Sequence, residues 1–224
     1  MATFQRARSA EQREIRRRMI LDTTAAMLDE MPVGEISLNE LSRRVGLAKS
    51  NVLRYFESRE AILLELLDRA WKEWTADLPA RLAAGVDASA DAAERGEQLA
   101  AVVTASLAER RVLCDLFSAQ AGVLEHNVSP EVAARYKRTA IANTAELADH
   151  IRGRIPETGE AAVRLAGSTI MVIGAVWTHA RPSRAMLAAY AADPSLAALR
   201  LDFPAALREM LATLTAGTLA RTAS

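Results

Sequence analysis

Apolar positions along this chain recur at helical spacing. Ile20, Met27 and Leu28 mark the buried side of a first helix, expected from Ser9 to about Glu30. Ser9 and Gln12 have the spacing of a capping box at its start, and Pro32 and Gly34 stop it. Leu38, Leu41 and Val45 then fall at i, i+3 and i+7. Ser37 and Glu40 form an S-x-x-E box before them: the hydroxyl accepts from the amide of residue 40, and the carboxylate reaches back to the amide of residue 37. Gly46 stands just past this helix, where a left-handed residue is cheapest. Three residues on, a second short helix places Val52 and Phe56 one turn apart on its buried side, leaving Lys49, Ser50, Asn51 and Arg54 opposite.

Ser58 is expected to cap the next helix, with Glu60 in its first turn. That helix runs through Leu63, Leu66, Leu67, Trp71 and Trp74 and is expected to end before Pro79. Gly85 to Ala90 reads as a loop. From Asp91 the pattern is helical nearly to the end, broken near Arg110, Asn127–Pro130, Pro156–Gly159 and Arg181–Pro194. Ser129-Pro130 is an N-cap followed by proline at the first helical position. The last two helices are placed at about 159–180 and 203–221. The longest apolar run, Leu165 to Trp177, is shorter than the about 20 residues a bilayer requires, so a buried helix and no membrane partner are expected.

Two short helices joined by a tight turn at 37–56 have the layout of a helix-turn-helix, whose second helix enters the DNA major groove. Lys49 and Arg54 would meet phosphates, or guanine through a bidentate approach, and Ser50 and Asn51 would meet base edges. Ser37, Arg43, Tyr55 and Arg59 complete the candidate interface. Tyr55 has the alternative of packing on Val52; Leu53 either meets a thymine methyl or, the better reading, joins the core. Arg13, Arg16, Arg17 and Arg18 lie in early turns of the first helix, where positive charge opposes the helix dipole. Phosphate contacts from that helix, and from a flexible arm at residues 1–8, would account for the cluster; for any single Arg the alternative is a solvated face with no partner.

With its flanks this stretch resembles the DNA-binding domain of the TetR (tetracycline-repressor-like) family of bacterial transcription regulators. The matching residues are Ile20-Leu21-Asp22, Ser37-Leu38, Leu41, Val45-Gly46-Leu47, Lys49, Arg54, Phe56, Ser58 and Arg59 to Leu63. Three departures stand out: Ala48 where the family often has a capping Ser, Leu53 where it usually has Tyr, and Tyr55 where it has His. The resemblance implies an all-α fold, with a three-helix DNA-binding domain at 1–60 and an effector-binding and dimerisation domain at 61–224. It also implies a homodimeric repressor on a near-palindromic operator, released by a small-molecule effector; the alternatives are a constitutive DNA-binding regulator whose C-terminal domain only dimerises and, more distantly, a helical enzyme or adaptor. In the family the last two helices build a four-helix bundle across a two-fold axis. Here that would place Gly167, Gly174, Phe203, Leu207, Leu211 and Leu214 at the interface; the alternative is that they fill the core of one chain. An effector pocket would be walled by Trp74, Leu113, Phe117, Tyr136, Met171 and Trp177. Gln120 and Asn143, polar residues inside apolar stripes, would orient the ligand, or else bond to each other or to backbone.

Composition fits this reading. Half of the 224 residues are hydrophobic and a quarter charged, which is globular. The formal net charge is zero, but through Arg59 eleven Lys and Arg face eight Asp and Glu, against seventeen facing twenty afterwards. A basic first third suits a protein that touches phosphate with one end. Cys114 is alone, so no internal disulfide forms, and without an apolar leader a cytoplasmic location is expected. No G-x-S-x-G, G-x-G-x-x-G or G-x-x-x-x-G-K-[ST] motif occurs, and His126, His150 and His179 are far apart, so no catalytic residue, metal or cofactor is expected.

Overall fold

The computed structural model describes residues 2–223, with side chains from Ala10 onward. Its described residues form ten α-helices and no strand: α1 Ala2–Glu30, α2 Leu38–Val45, α3 Lys49–Val52, α4 Arg59–Gly85, α5 Ala92–Ala108, α6 Arg111–Ala119, α7 Pro130–Arg154, α8 Ala161–Ala180, α9 Arg184–Ala192 and α10 Phe203–Thr222. The chain divides into two compact units, 1–69 with 119–137, and 70–118 with 138–224; the divisions fall inside α4 and α7 and at the end of α6.

The first unit is built on the stripe foreseen in α1, where Ile20, Met27 and Leu28 are fully buried with Leu41, Val52, Ile62 and Leu63. The backbone is already helical at Ala2, so the stretch expected as a flexible arm belongs to α1; of that arm, Met1 lies outside the described residues. Ser9 and Gln12 therefore lie within a helix and not at its start. Ser58 caps α4, accepting from the Ala61 amide at 3.1 Å, and Ser129 caps α7, accepting from Val132 at 3.3 Å. The Ser129 amide donates to Glu57 at 2.6 Å.

In the second unit α4 does not stop at Pro79. It runs on to Gly85, and Trp74, Leu78 and Leu82, one turn apart, are all buried. A proline inside a helix leaves the carbonyl four residues back without its donor, here that of Thr75. His150 on α7 takes that role, its Nε2 3.1 Å from the Thr75 oxygen. Because a carbonyl only accepts, Nε2 must carry the proton.

α10 packs on α5 and α8. Gly96 permits the first contact: a Cβ there would lie 2.9 Å from Thr215 Cγ2. α8 is the one described helix long and apolar enough to cross a membrane by length and composition, but 44% of its most apolar window is buried in the fold. Cys114 is buried, and burial pushes its thiol up to about 12.

Candidate nucleic-acid interface

The turn between α2 and α3 follows from local chemistry. Ser37 Oγ accepts from the Glu40 amide at 3.1 Å, as the capping box requires. The reciprocal half is replaced: the Glu40 carboxylate is held by Arg43 (2.6 and 3.0 Å) and Arg44 (2.9 Å), whose guanidinium also pairs with Glu30 at 2.7 Å. Hydrogen bonds from Arg43 and Arg44 hold the Glu40 carboxyl down at about 2. Gly46 adopts φ 70°, and the bonds from Gly46 to the Arg43 carbonyl and from Leu47 to that of Ser42 form a Schellman ending.

α3 is four residues long, but bonds such as Leu53 to Lys49 and Phe56 to Val52 continue its winding to Phe56. Ala48, standing at its N-cap, supplies no side-chain cap. Val52 and Phe56 are buried, while Lys49, Ser50, Asn51 and Arg54 are exposed together on the outer side. Four groups able to reach phosphate oxygens and base edges are thus all solvent-exposed along this short helix and its extension.

Two residues expected at the interface, Arg59 and Arg17, and one expected in the core, Leu53, are placed differently from those expectations. Arg59 is turned inward: its Nη1 donates to the Ile36 carbonyl at 2.9 Å, and its Nε and Nη2 bind the buried Glu60 carboxylate at 3.0 and 2.8 Å. It holds the segment before α2 against α4 and is not displayed toward DNA. Leu53, expected in the core, is 40% exposed beside Arg54, because Val52 and Phe56 occupy the inward side. Arg17, grouped with the phosphate-binding arginines, donates to the Tyr55 carbonyl at 2.6 Å and pairs with Glu65, whereas Arg13, Arg16 and Arg18 are exposed. Tyr55 is half-buried, with the Arg13 guanidinium 5.9 Å from its ring centre. Arg43 is exposed but engaged with Glu40, and Ser37 serves the cap. Nothing in the residue types distinguished Arg17 and Arg59 from their neighbours; their long-range bonds, from Arg17 to Tyr55 and Glu65 and from Arg59 to the Ile36 carbonyl, do.

The residues expected to wall an effector pocket are distributed over both units. Gln120 and Tyr136 belong to the first; Trp74, Leu113, Phe117, Asn143, Met171 and Trp177 belong to the second. The helical pattern after Arg110 changes pitch at Gln120, where a wider π turn is marked by Glu125 N to Gln120 O at 3.1 Å. Gln120 donates to Glu125 at 3.0 Å, and Glu125 also pairs with Lys137 at 2.6 Å. Burial pushes the Tyr136 phenol up. Trp74 donates to Ser106 at 2.9 Å and Trp177 to Asp115 at 2.6 Å, while Arg181 binds the same Asp115 oxygen at 2.8 Å. Leu113, Phe117 and Asn143 are buried. Met171 is 70% exposed, so it stands on the surface of α8 and walls no interior site in this chain. Trp71 Nε1, Thr104 Oγ1 and Asp115 Oδ2 are buried without a hydrogen-bond partner.

Of the expected interface residues, Phe203, Leu207 and Leu211 are buried within a single chain, where Phe203 meets Trp177 edge-on at 4.7 Å. Gly174 is likewise internal: a Cβ there would lie 2.9 Å from the Phe117 carbonyl oxygen. Their positions answer to packing inside one chain. Gly167 and Leu214 remain partly accessible.

Comparison with known families agrees with this geometry. Residues 20–66 match the model described as bacterial regulatory proteins, tetR family, and residues 68–222 match the tetracyclin repressor-like C-terminal domain. The chain belongs to the TetR family. As a TetR-family transcription regulator it carries a helix-turn-helix and an all-helical C-terminal domain. It is similar to the HTH-type transcriptional regulator EthR of Mycobacterium tuberculosis and of Mycobacterium bovis, with 38% identity over 61 residues, 27% of this chain and 27% of each relative. The match thus spans about a quarter of those relatives. The fold is also similar to that of the fatty acid degradation regulator FadR from Bacillus halodurans, at 13% identity and a TM-score of 0.53, covering 89% of this chain and 97% of that one.

Proposed function

We propose that this TetR-family protein is a homodimeric, ligand-responsive repressor that binds a near-palindromic operator in the cytoplasm. Residues 1–60 act as the DNA-binding head and 61–224 as the effector and dimerisation domain. The observation that carries the DNA reading is the shared exposure of Lys49, Ser50, Asn51 and Arg54 over the buried pair Val52 and Phe56. One short helix reads few bases, so two heads about 34–36 Å apart would read successive major grooves. The second copy is supported by an accessible stripe on α8, where Val163 and Met171 are 48% and 70% exposed on either side of Gly167. A shallow groove of about 320 Å³ between α8 and α10, lined by Ser168, Leu214 and Gly217, lies alongside.

Effector binding is supported by the match of residues 68–222 to the tetracyclin repressor-like C-terminal domain. A second reading, a constitutive regulator whose C-terminal domain only dimerises, is favoured by the internal pairing of Gln120, Trp74 and Trp177. The test is selection of bound duplexes from a random pool, footprinting of the selected site, and retesting it against candidate effectors. Sequence-selective, salt-dependent protection that Asn51→Ala and Arg54→Ala abolish is expected. Full protection by both variants would sink the DNA assignment, and release by no effector would leave the constitutive reading standing.

A further inference from the structure

Resting on the operator-binding reading above, we propose that Arg17 is the positioning residue that sets the pose of the recognition helix. α3 has little of its own to fix it: four residues, no side-chain cap at Ala48, and an end that tightens into single turns, leaving late carbonyls without helical donors. Arg17 meets that end. Its Nη1 donates to the Tyr55 carbonyl at 2.6 Å, its Nη2 pairs with Glu65 on α4, and its guanidinium lies 4.4 Å from the centre of the Phe56 ring. One planar fork therefore ties α1, the end of the recognition helix and α4 together. The Arg17 side chain is only 21% exposed, whereas Arg13, one turn earlier, is exposed. A lysine has the charge but not the fork, so it cannot hold Tyr55 and Glu65 in the same planar geometry.

This role is separable from a phosphate contact. Each phosphate neutralised adds about 0.9 to the slope of log affinity against log salt, and a lysine serves nearly as well as an arginine there as a point charge. A positioning residue instead shifts base contacts, each worth discrimination on the order of 10-fold to 100-fold.

The experiment uses the full chain, the duplex selected for the wild type and a scrambled duplex of equal length, at several salt concentrations. Arg17→Met and Arg17→Lys are both expected to lose about 10-fold or more in affinity for the selected duplex. Binding to the scrambled duplex and the salt slope should stay unchanged. Glu65→Gln leaves the Arg17 charge in place and removes its anionic partner, so that side of the guanidinium is held by a neutral hydrogen bond at most. It is expected to lower the ratio of selected to scrambled binding in the same direction, and it carries the test should Arg17→Met fail to fold. A salt slope reduced by about one in Arg17→Met and restored by lysine would make Arg17 a phosphate ligand and overturn the proposal. So would a selectivity ratio that Glu65→Gln leaves intact or raises. Failure of the wild type to select any duplex would bring down the operator reading itself, an outcome read before any variant is made.

Discussion

The passage of α4 through Pro79 gives the sharpest stability prediction. Proline removes the donor that Thr75 would use, and Thr75 is fully buried, so its carbonyl depends on His150. His150→Phe keeps a ring of similar size and removes the donor. Leaving a buried acceptor unsatisfied costs about 1–3 kcal/mol, and at this chain length each kcal/mol shifts Tm by about 2–4 °C. Pro79→Ala restores an N–H aimed at the same carbonyl, so the histidine should matter less in that background. A double-mutant cycle on thermal or urea unfolding is expected to give a coupling energy of about 1 kcal/mol or more between Pro79 and His150. If His150→Phe costs the same with proline or alanine at 79, to within about 0.3–0.5 kcal/mol, the carbonyl is not what His150 serves.

Other outcomes follow from single contacts. Glu40 titrates at about 2 because Arg43 and Arg44 bond to its charged form. Since its folded value lies below the unfolded one, its contribution is present above pH ~4.5 and lost as pH falls toward 2; urea melts of Glu40→Gln should therefore show a flatter acid limb in that window. Cys114 is buried with its thiol raised to about 12, so thiol-reactive dyes at pH 8 should label it only on unfolding. Gly174→Ala meets the Phe117 backbone at 2.9 Å and should cost about 1–3 kcal/mol in denaturant melts. Gly167→Ala finds nothing within 4 Å and should leave the fold of one chain intact, while sedimentation reports weaker self-association if Gly167 lies at the two-fold contact.

Much of this protein was legible in residues close together along the chain. Ser37, Ser58 and Ser129 cap the helices their positions announced, Gly46 takes the left-handed turn, and Val52 and Phe56 turn Lys49, Ser50, Asn51 and Arg54 outward. Caps, turns and stripes depend on atoms within a turn or two, so local sequence suffices for them. The destination of long or small side chains was not legible, because their partners come from distant segments. Arg17 and Arg59 read like phosphate ligands until Tyr55 and Glu65 are seen around the first and the Ile36 carbonyl beside the second. Pro79 reads like a helix end until His150, 71 residues later, supplies the missing donor. Gly174 reads like a surface for a second copy until Phe117 is found against it. Periodicity marked most of the inward-facing positions, Leu53 and Met171 being exceptions; only the packed fold settled what each of them meets, because a hydrogen bond or a close contact is a matter of distance in space and not along the chain.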